Sequence, residues 1–278
     1  MDFLTHLKSF MNEDEANKLY DSLLEREIHC LRVNDLKVEN INDLIEKSRG
    51  LEDHPHIKNA FIYNKSTFEA GKSILFDAGA YYIQEPAAMM AEYLLDIKEN
   101  DYVLDMCAAP GSKTQYISEL MNNKGKVLAL DIHPHRVEIM KKMLSSLGLS
   151  NVTCICYDST KLTEKNKLIE SFDKVLLDAP CLGLGVVRRK PDILLNLKDE
   201  NLDEIEAIQA KLLDQAYHMV KSGGTLVYST CSINKKENDS QIMKFLSKHK
   251  DMKRVFEKQL FPDEYNSDGF YICKLIKE

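Results

Sequence analysis

Two cysteines stand in distinctive company: Cys181 in Asp178-Ala-Pro-Cys181 and Cys231 in Ser229-Thr-Cys231-Ser232, both downstream of the run Leu104-Asp-Met-Cys-Ala-Ala-Pro-Gly-Ser-Lys-Thr114. An ionised thiol is a nucleophile that can add covalently to a substrate. Each of the three segments follows a short apolar run, Tyr102-Val-Leu, Lys174-Val-Leu-Leu and Gly224-Thr-Leu-Val-Tyr, so each falls where a buried parallel strand ends. In open α/β sheets that edge binds ligands. The combination points to covalent chemistry beside a nucleotide-like cofactor.

The turn Cys107-Ala108-Ala109-Pro110-Gly111-Ser112-Lys113 puts small residues where backbone meets ligand, since side-chain bulk would block that approach. A Walker phosphate loop needs Gly-x4-Gly-Lys-Ser/Thr, but here Cys107 occupies the first glycine position and Ser112 precedes Lys113. A dinucleotide loop needs three glycines, and this turn has only Gly111. The acidic strand ends favour a third cofactor. Asp131 closes the next strand, where a carboxylate accepts both ribose hydroxyls, and Asp158 closes the one after, where it can accept from an adenine amino group. Together these suit S-adenosylmethionine. The plainer reading, that an Asp caps the helix after it, suffices for one of them but not for all at once.

The elements that must position these groups follow from periodicity. Residues 1 to about 28 carry apolar positions at helical spacing, broken near Asn12-Glu-Asp. Short pieces follow: a strand at Ile28-His-Cys-Leu-Arg-Val, a short helix from Ile41 to Lys47 and a strand at His56 to Tyr63. They predict a small N-terminal α+β module over residues 1–75, ahead of a catalytic domain over 76–278. A helix begins at Glu85-Pro86 and runs to Asp96. Strands at 102–106, 126–131, 152–157, 173–178 and 224–229 then alternate with helices near 113–122, 134–147, 162–170 and 203–221. That alternation predicts an α/β, Rossmann-like fold with a mostly parallel sheet. A helix near 236–249 and two strand-like runs around Lys253-Arg-Val-Phe and Gly269 to Ile276 close the chain, predicting an antiparallel C-terminal edge of the kind class I methyltransferases use.

With 278 residues and 44% hydrophobic content the chain can bury one substantial core. No stretch reaches the roughly 18 to 20 apolar residues of a membrane span, and the N-terminus lacks a basic region leading into an apolar signal segment, so a cytoplasmic, membrane-free and monomeric protein is expected. Free thiols follow from that compartment. Cys154 and Cys156, two apart in a strand, share a face and pack in the core. No cysteine pair has zinc spacing, and His54-Pro-His56 and His133-Pro-His135 read as turn histidines, so no metal is expected. A net charge of −7 gives no whole-molecule attraction for phosphates. A local patch suffices for a site-specific enzyme, however, and Arg188, Arg189 and Lys190 form the densest one, with Lys235-Lys236 soon after Cys231.

The three chemical segments, with Ala80-Tyr-Tyr-Ile-Gln84, Glu237-Asn238 and Asp268-Gly-Phe-Tyr271, resemble the Sun (Fmu) family of S-adenosylmethionine-dependent RNA cytosine-5 methyltransferases. The resemblance runs in order over about residues 70 to 278. It departs from the family in two places, Leu182-Gly183 where Ser-Gly is common and Ser112 where glycine is common; neither removes a reacting group. It implies that Cys107 to Lys113, Asp131, Asp158 and Asp178 form the methyl-donor site, with Arg136 a further candidate. It also implies that Cys231 is the nucleophile and that Cys181 assists product release. Gly185 to Asp192 is closest to the ribosomal branch, which favours rRNA over tRNA as substrate.

The chemistry fits two thiols. Carbon 5 of cytosine is too weak a nucleophile to attack a methyl sulfonium, so a thiolate must first add at carbon 6. Asp178 would stabilise the electrons that gather on the ring by hydrogen bonding or protonating a ring nitrogen. Loss of the carbon 5 proton then frees Cys231, a step Cys181 promotes. A cytosine inside a duplex is out of reach, so a single-stranded or flipped base is expected, with Arg188, Arg189 and Lys190 on its flanking phosphates. Competing readings are a methyltransferase for DNA, protein or a small molecule, against which the paired cysteines argue, and an inactive RNA-binding or assembly factor that keeps the fold.

Overall fold

The computed structural model describes residues 3–24, 29–39, 50–196, 199–262 and 267–278. The short helix expected from Ile41 to Lys47 lies outside the described residues.

Two sheets organise the chain. The smaller is antiparallel and four-stranded, built from β1 (His29–Val33), β2 (Leu51–Asp53), β3 (Ala60–Tyr63) and β4 (Tyr81–Ile83) in the order β2-β3-β1-β4. Its last strand lies past residue 75, because β4 pairs with β1 through Leu31↔Ile83 and Val33↔Tyr81. The larger sheet has seven strands: β5 (Tyr102–Asp105), β6 (Lys126–Asp131), β7 (Val152–Cys156), β8 (Phe172–Asp178), β9 (Val220–Thr230), β10 (Met252–Leu260) and β11 (Phe270–Lys277). Their order is β10-β11-β9-β8-β5-β6-β7. Strands β5 to β9 pair in parallel, and β11 joins β9 and β10 antiparallel. This is the Rossmann-like arrangement with an antiparallel edge that the alternating pattern predicts.

Both faces of the central parallel strands β5, β6, β8 and β9 are covered, which is why they read as continuous apolar runs. β7 is the edge strand, and Cys154 and Cys156, expected in the core, lie half-buried and exposed on it because no further strand covers that edge. Period-two alternation sends Leu104, Leu128, Leu177 and Tyr228 to one face and Val103, Val127, Leu176 and Val227 to the other. The first set packs on Leu212, Leu213 and Ala216 of the helix Asp199–Met219, the second on Ala87, Ala91 and Ile117 of the helices Pro86–Leu94 and Ser112–Leu120. Pro86 opens its helix at a first-turn position, where a missing N–H costs nothing, and Glu85 caps it by accepting from Ala88 N.

One expected helix is absent. Residues 162–170 form 3-10 turns, Ser159–Glu164 and Asn166–Leu168, instead of an α-helix. Lys161 takes a non-helical conformation and Glu170 a positive φ of 47°, so no run is long enough to propagate a helix.

The order of strands reverses at β5, whose neighbours are β6 on one side and β8 on the other. Such a switch point opens a crevice beyond the carboxyl ends of the strands. The N-terminal helices Phe3–Lys8 and Glu13–Leu24 cover part of that end: Phe3, Leu7, Leu19 and Leu23 pack against Leu184, Val187 and Ile233, residues of the loops that follow Cys181 and Cys231. The small sheet is fastened by Arg32, which pairs with Glu119, lies 3.9 Å from the Tyr116 ring centroid and donates to Gln84 Oε1 at 3.2 Å. Gln84 in turn donates to Glu92 at 2.9 Å.

Candidate active site

At the end of β5 the chain turns through Met106 to Gly111 and enters the helix Ser112–Leu120. Gly111 has a φ of 109°, and a Cβ there would fall 2.8 Å from Met140 Cγ and 2.7 Å from Met143 Cε. Glycine is therefore required both by conformation and by the close approach of the helix Pro134–Ser146. Thr114 Oγ1 donates to Asp105 Oδ2 at 2.7 Å, holding the first turn of the new helix to the strand it left.

A cavity of about 280 Å³ lies over the switch point, walled by Cys107, Asp131, Asp158, Asp178, Cys181 and Cys231. These come from the ends of five successive parallel strands. Ala109 and Arg136 also face it. The other turn residues do not line it: Ala108 packs on Ala129 and Val137, while Pro110, Gly111, Ser112 and Lys113 shape the turn behind. Lys113 reaches the cavity only through Asp178, its Nζ 2.9 Å from Asp178 Oδ2.

The donor and acceptor set suits an adenosyl cofactor. Asp131 is buried; its Oδ1 accepts from His133 N at 2.9 Å and its Oδ2 lies 3.2 Å from Arg136 Nη1, leaving further lone pairs toward the cavity. Arg136 also donates to Ala109 O, tying Asp131 to the turn. Asp158 does cap the 3-10 turn after it, accepting from Thr160 N at 3.0 Å and Thr160 Oγ1 at 2.7 Å through Oδ1. Those bonds, led by the Thr160 hydroxyl, hold its carboxyl below the ordinary range, and its Oδ2 lies 3.5 Å from Lys161 Nζ. Sequence patterns missed the apolar walls, Ile132, Tyr157, Ile208 and Leu212. The signal available in the sequence was Ile132, an apolar residue directly after an acidic strand end, which the fold leaves 54% exposed.

The residues expected to be catalytic, Asp178, Cys181 and Cys231, gather where β8 and β9 end, and the two strands pair through Asp178↔Ser229. Asp178 Oδ1 accepts from Ser229 Oγ at 2.8 Å while Oδ2 meets Lys113, so the carboxylate is fixed from two sides. Burial works against the charge on Lys113, but the carboxylates of Asp178 and Glu92 outweigh it and raise its pKa. Beneath them burial pushes Asp105 and Glu92 up to about 7. Cys181 Sγ and Cys231 Sγ are 2.9 Å apart. The hydrogen bond with Cys231, then burial, push the Cys181 thiol well above its ordinary range.

The basic run after Cys181 is placed differently from the expected phosphate clamp. Arg188 Nε donates to Asp268 Oδ1 at 2.6 Å with its side chain 2% exposed, and Arg189 Nε lies 2.5 Å from Asp268 Oδ2. The physical reason is the buried Asp268 carboxylate, which needs cationic partners and takes both arginines. Glu85 accepts from Asp268 N at 2.7 Å, and burial together with the Asp268 charge pushes Glu85 up to about 7. Lys190 alone of the three is exposed. Among the described residues no group of three or more His, Cys, Asp or Glu can hold a metal, and no helix is long and apolar enough to cross a membrane.

The family model described as 16S rRNA methyltransferase RsmB/F matches residues 92–276. The chain belongs to this family. Residues 1–86 match the N-terminal domain of 16S rRNA methyltransferase RsmF. The chain's relatives include the probable ribosomal RNA small subunit methyltransferase B of Bacillus subtilis strain 168, 40% identical over 73% of this chain and 49% of its own length. Another is ribosomal RNA small subunit methyltransferase F of Escherichia coli K12, 32% identical over 99% of this chain and 62% of its own. The chain thus spans between about half and three-fifths of the length of these relatives. Among solved structures, PH0851 superposes with a TM-score of 0.89 at 32% identity, covering 99% of this chain and 65% of that one. A methyltransferase homolog protein from Pyrococcus horikoshii gives 0.86 at 30% identity over 96% and 92%.

Proposed function

We propose that this protein transfers a methyl group from S-adenosylmethionine to carbon 5 of a cytosine in small-subunit ribosomal RNA, through a covalent bond between Cys231 and carbon 6. The observation that carries this reading is the pair of thiols 2.9 Å apart, in one cavity with the carboxylates of Asp131 and Asp158. The names of the RsmB/F relatives support ribosomal RNA as the substrate class.

Asp131, Asp158, Cys107 and Ala109 would hold the cofactor, with Arg136 bracing Asp131 against the turn. When bound, S-adenosylmethionine would supply an electrophilic methyl group. Cys231 gives up its proton and adds to carbon 6, making carbon 5 nucleophilic. Asp178, steadied by Lys113 and Ser229, takes that proton and passes it to the ring nitrogen, neutralising the electrons pushed onto the ring. After transfer a base takes the carbon 5 proton and the carbon–sulfur bond breaks. Cys181 acts on the departing sulfur: a thiol that keeps its proton and lies against Cys231 stabilises the leaving thiolate by hydrogen bonding. We assign the flanking-phosphate role to Lys190, not to the arginines committed to Asp268, and a supporting RNA contact to the N-terminal module.

Methyl transfer from labelled cofactor to purified small-subunit RNA, with bisulfite sequencing of the product, tests the reading. A single protected cytosine is expected. Labelling of tRNA alone, or of no RNA, would overturn the substrate or the activity. Cys231→Ala should abolish turnover, and Cys181→Ala should trap a protein–RNA adduct on a denaturing gel; the opposite pattern would reverse the two assignments.

A further inference from the structure

Two thiols in contact can do one thing besides serve a substrate: they can bond to each other. Cys181 Sγ and Cys231 Sγ are 2.9 Å apart. A disulfide bond is about 2.0 Å long, so the sulfurs need to close by only roughly 0.9 Å. The contact is built into the fold. Glu237 is buried at the seam of the two cysteine loops, where its Oε2 accepts from Leu182 N at 2.9 Å and its Oε1 from Ser232 Oγ at 2.5 Å. Gln209 Nε2 donates to Glu237 Oε2 at 3.1 Å and to Pro180 O at 2.9 Å. Gly185 N donates to Cys231 O at 3.0 Å. Residues on both sides of Cys181 and the residue after Cys231 are thus tied by one set of hydrogen bonds, so the linked state orders little that the reduced fold has not already ordered.

The pair is also reachable. Both thiols are half-buried and line the same cavity of about 280 Å³, and among the described residues Cys107 is the one other cysteine on its wall. An accessible thiol with a second thiol against it is the arrangement in which oxidation stops at a disulfide instead of climbing to sulfinic acid.

We propose that Cys181 and Cys231 form a reversible intramolecular disulfide that turns methyl transfer off under oxidising conditions. The oxidant is a small-molecule disulfide of the glutathione class. One protein thiol, as its thiolate, attacks it: a protein–glutathione bond forms, the oxidant's sulfur–sulfur bond breaks, and one glutathione leaves and takes up a proton. The second protein thiol then loses its proton and attacks the protein sulfur of that mixed disulfide, forming the Cys181–Cys231 bond and releasing the second glutathione, which is protonated in turn. The protein gives up two electrons and two protons, and both leave on the two glutathione thiols. The linked form has no thiolate to add to carbon 6 and no thiol against the departing sulfur, so it is inactive until a dithiol reductant restores the pair. The loss of activity rests on the reading of Cys231 as nucleophile; formation of the disulfide needs neither RNA nor cofactor.

The freshly reduced full-length protein is held in about 5 mM oxidised glutathione at about pH 8, quenched in acid, digested without reductant and mapped by mass spectrometry. Methyl transfer from labelled cofactor to small-subunit RNA is measured before oxidation, after it and again after dithiothreitol. A peptide pair joining Cys181 to Cys231 is expected in about nine-tenths of the molecules, with activity down about tenfold in proportion and restored by the reductant. Cys181→Ser and Cys231→Ser should each stop at the mixed disulfide, with glutathione on the remaining cysteine and no cross-link. Three results would overturn the inference: glutathione retained on Cys181 or Cys231 of the parent without a cross-link, a link from either to Cys107 instead, or a Cys181–Cys231 link that leaves methyl transfer unchanged. If the disulfide forms and reverses while the reduced protein methylates no RNA, the proposed function fails and the redox pairing of the thiols stands. If the reduced protein methylates RNA and no cross-link forms, the function stands and the redox control fails.

Discussion

Replacing Gly185 by alanine tests whether the two cysteine loops must be held in register. Gly185 N donates to Cys231 O at 3.0 Å, and Gly185 O accepts from Gly269 N at 2.9 Å, so this one residue links the Cys181 loop to the end of β9 and to the start of β11. A Cβ on Gly185 would lie 1.8 Å from Gly269 O and 2.5 Å from its carbonyl carbon. Both obstacles are backbone, and Gly269 is itself boxed in, since a Cβ there would be 2.6 Å from Ile233 Cγ2. Real Cβ contacts essentially never fall under 3.0 Å, so the two segments must part by at least about 1.2 Å. Moving apart forfeits two hydrogen bonds worth about 1 kcal/mol each, while staying put stores roughly 1–3 kcal/mol of overpacking strain. Gly185→Ala should therefore destabilise by about 2–3 kcal/mol and lower Tm by roughly 4 to 10 °C. A shift of that size beside the reacting sulfur should cut methyl transfer about 100-fold. Cofactor affinity should stay within about twofold, because Asp131 and Asp158 sit on β6 and after β7, away from the moved loop. Thermal melting, cofactor titration calorimetry and the labelled-methyl assay measure the three quantities. Full turnover with an unchanged melting curve would refute the clamp; loss of cofactor binding in step with turnover would show general disruption instead.

Two further outcomes follow from the site. Asp131→Asn keeps the shape but weakens acceptance from the ribose hydroxyls, so cofactor affinity should fall by about tenfold to a hundredfold, corresponding to one charged hydrogen bond. Unchanged affinity by calorimetry would remove Asp131 from the cofactor site. Glu92 carries a pH signature: burial raises its carboxyl from 4.5 to about 7 in the fold. The folded state holds a proton that the unfolded chain has released, so the contribution is complete below about 4.5 and is lost as pH climbs through about 7. Glu92→Gln cannot ionise, and its melting temperature relative to the parent should be several degrees more favourable at pH 8 than at pH 5. A pH-independent difference would mean the carboxyl is not proton-linked to folding.

Strand positions were legible because a strand buried on both faces must be apolar throughout, and Val103, Val127, Leu176 and Val227 with their neighbours satisfy that locally. The helix expected at 162–170 failed because its period was too short to nucleate and Asp158 and Thr160 offered a competing local turn. Arg188 shows a different limit. In the sequence it belongs to a basic run and reads as solvent-facing charge, yet its partner Asp268 is 80 positions away in the chain. A charge is buried or exposed according to whether a compensating carboxylate arrives beside it, and that depends on where the β10–β11 connection folds back. No local pattern contains that information.

The thiol pair lies between these cases. Cys181 and Cys231 are 50 positions apart. Their meeting was nonetheless inferable, because each stands just beyond the end of a parallel strand and β8 lies directly beside β9, with Asp178 opposite Ser229. Adjacent parallel strands in register carry their following residues to the same edge, and strands about 5 Å apart bring those side chains within reach. What the strand ends do not determine is contact. The thiols touch only because Leu182 N and Ser232 Oγ share the carboxylate of Glu237 and because Gly185 lets two backbones meet, so topology supplies proximity while these buried hydrogen bonds supply the 2.9 Å on which the proposed chemistry depends.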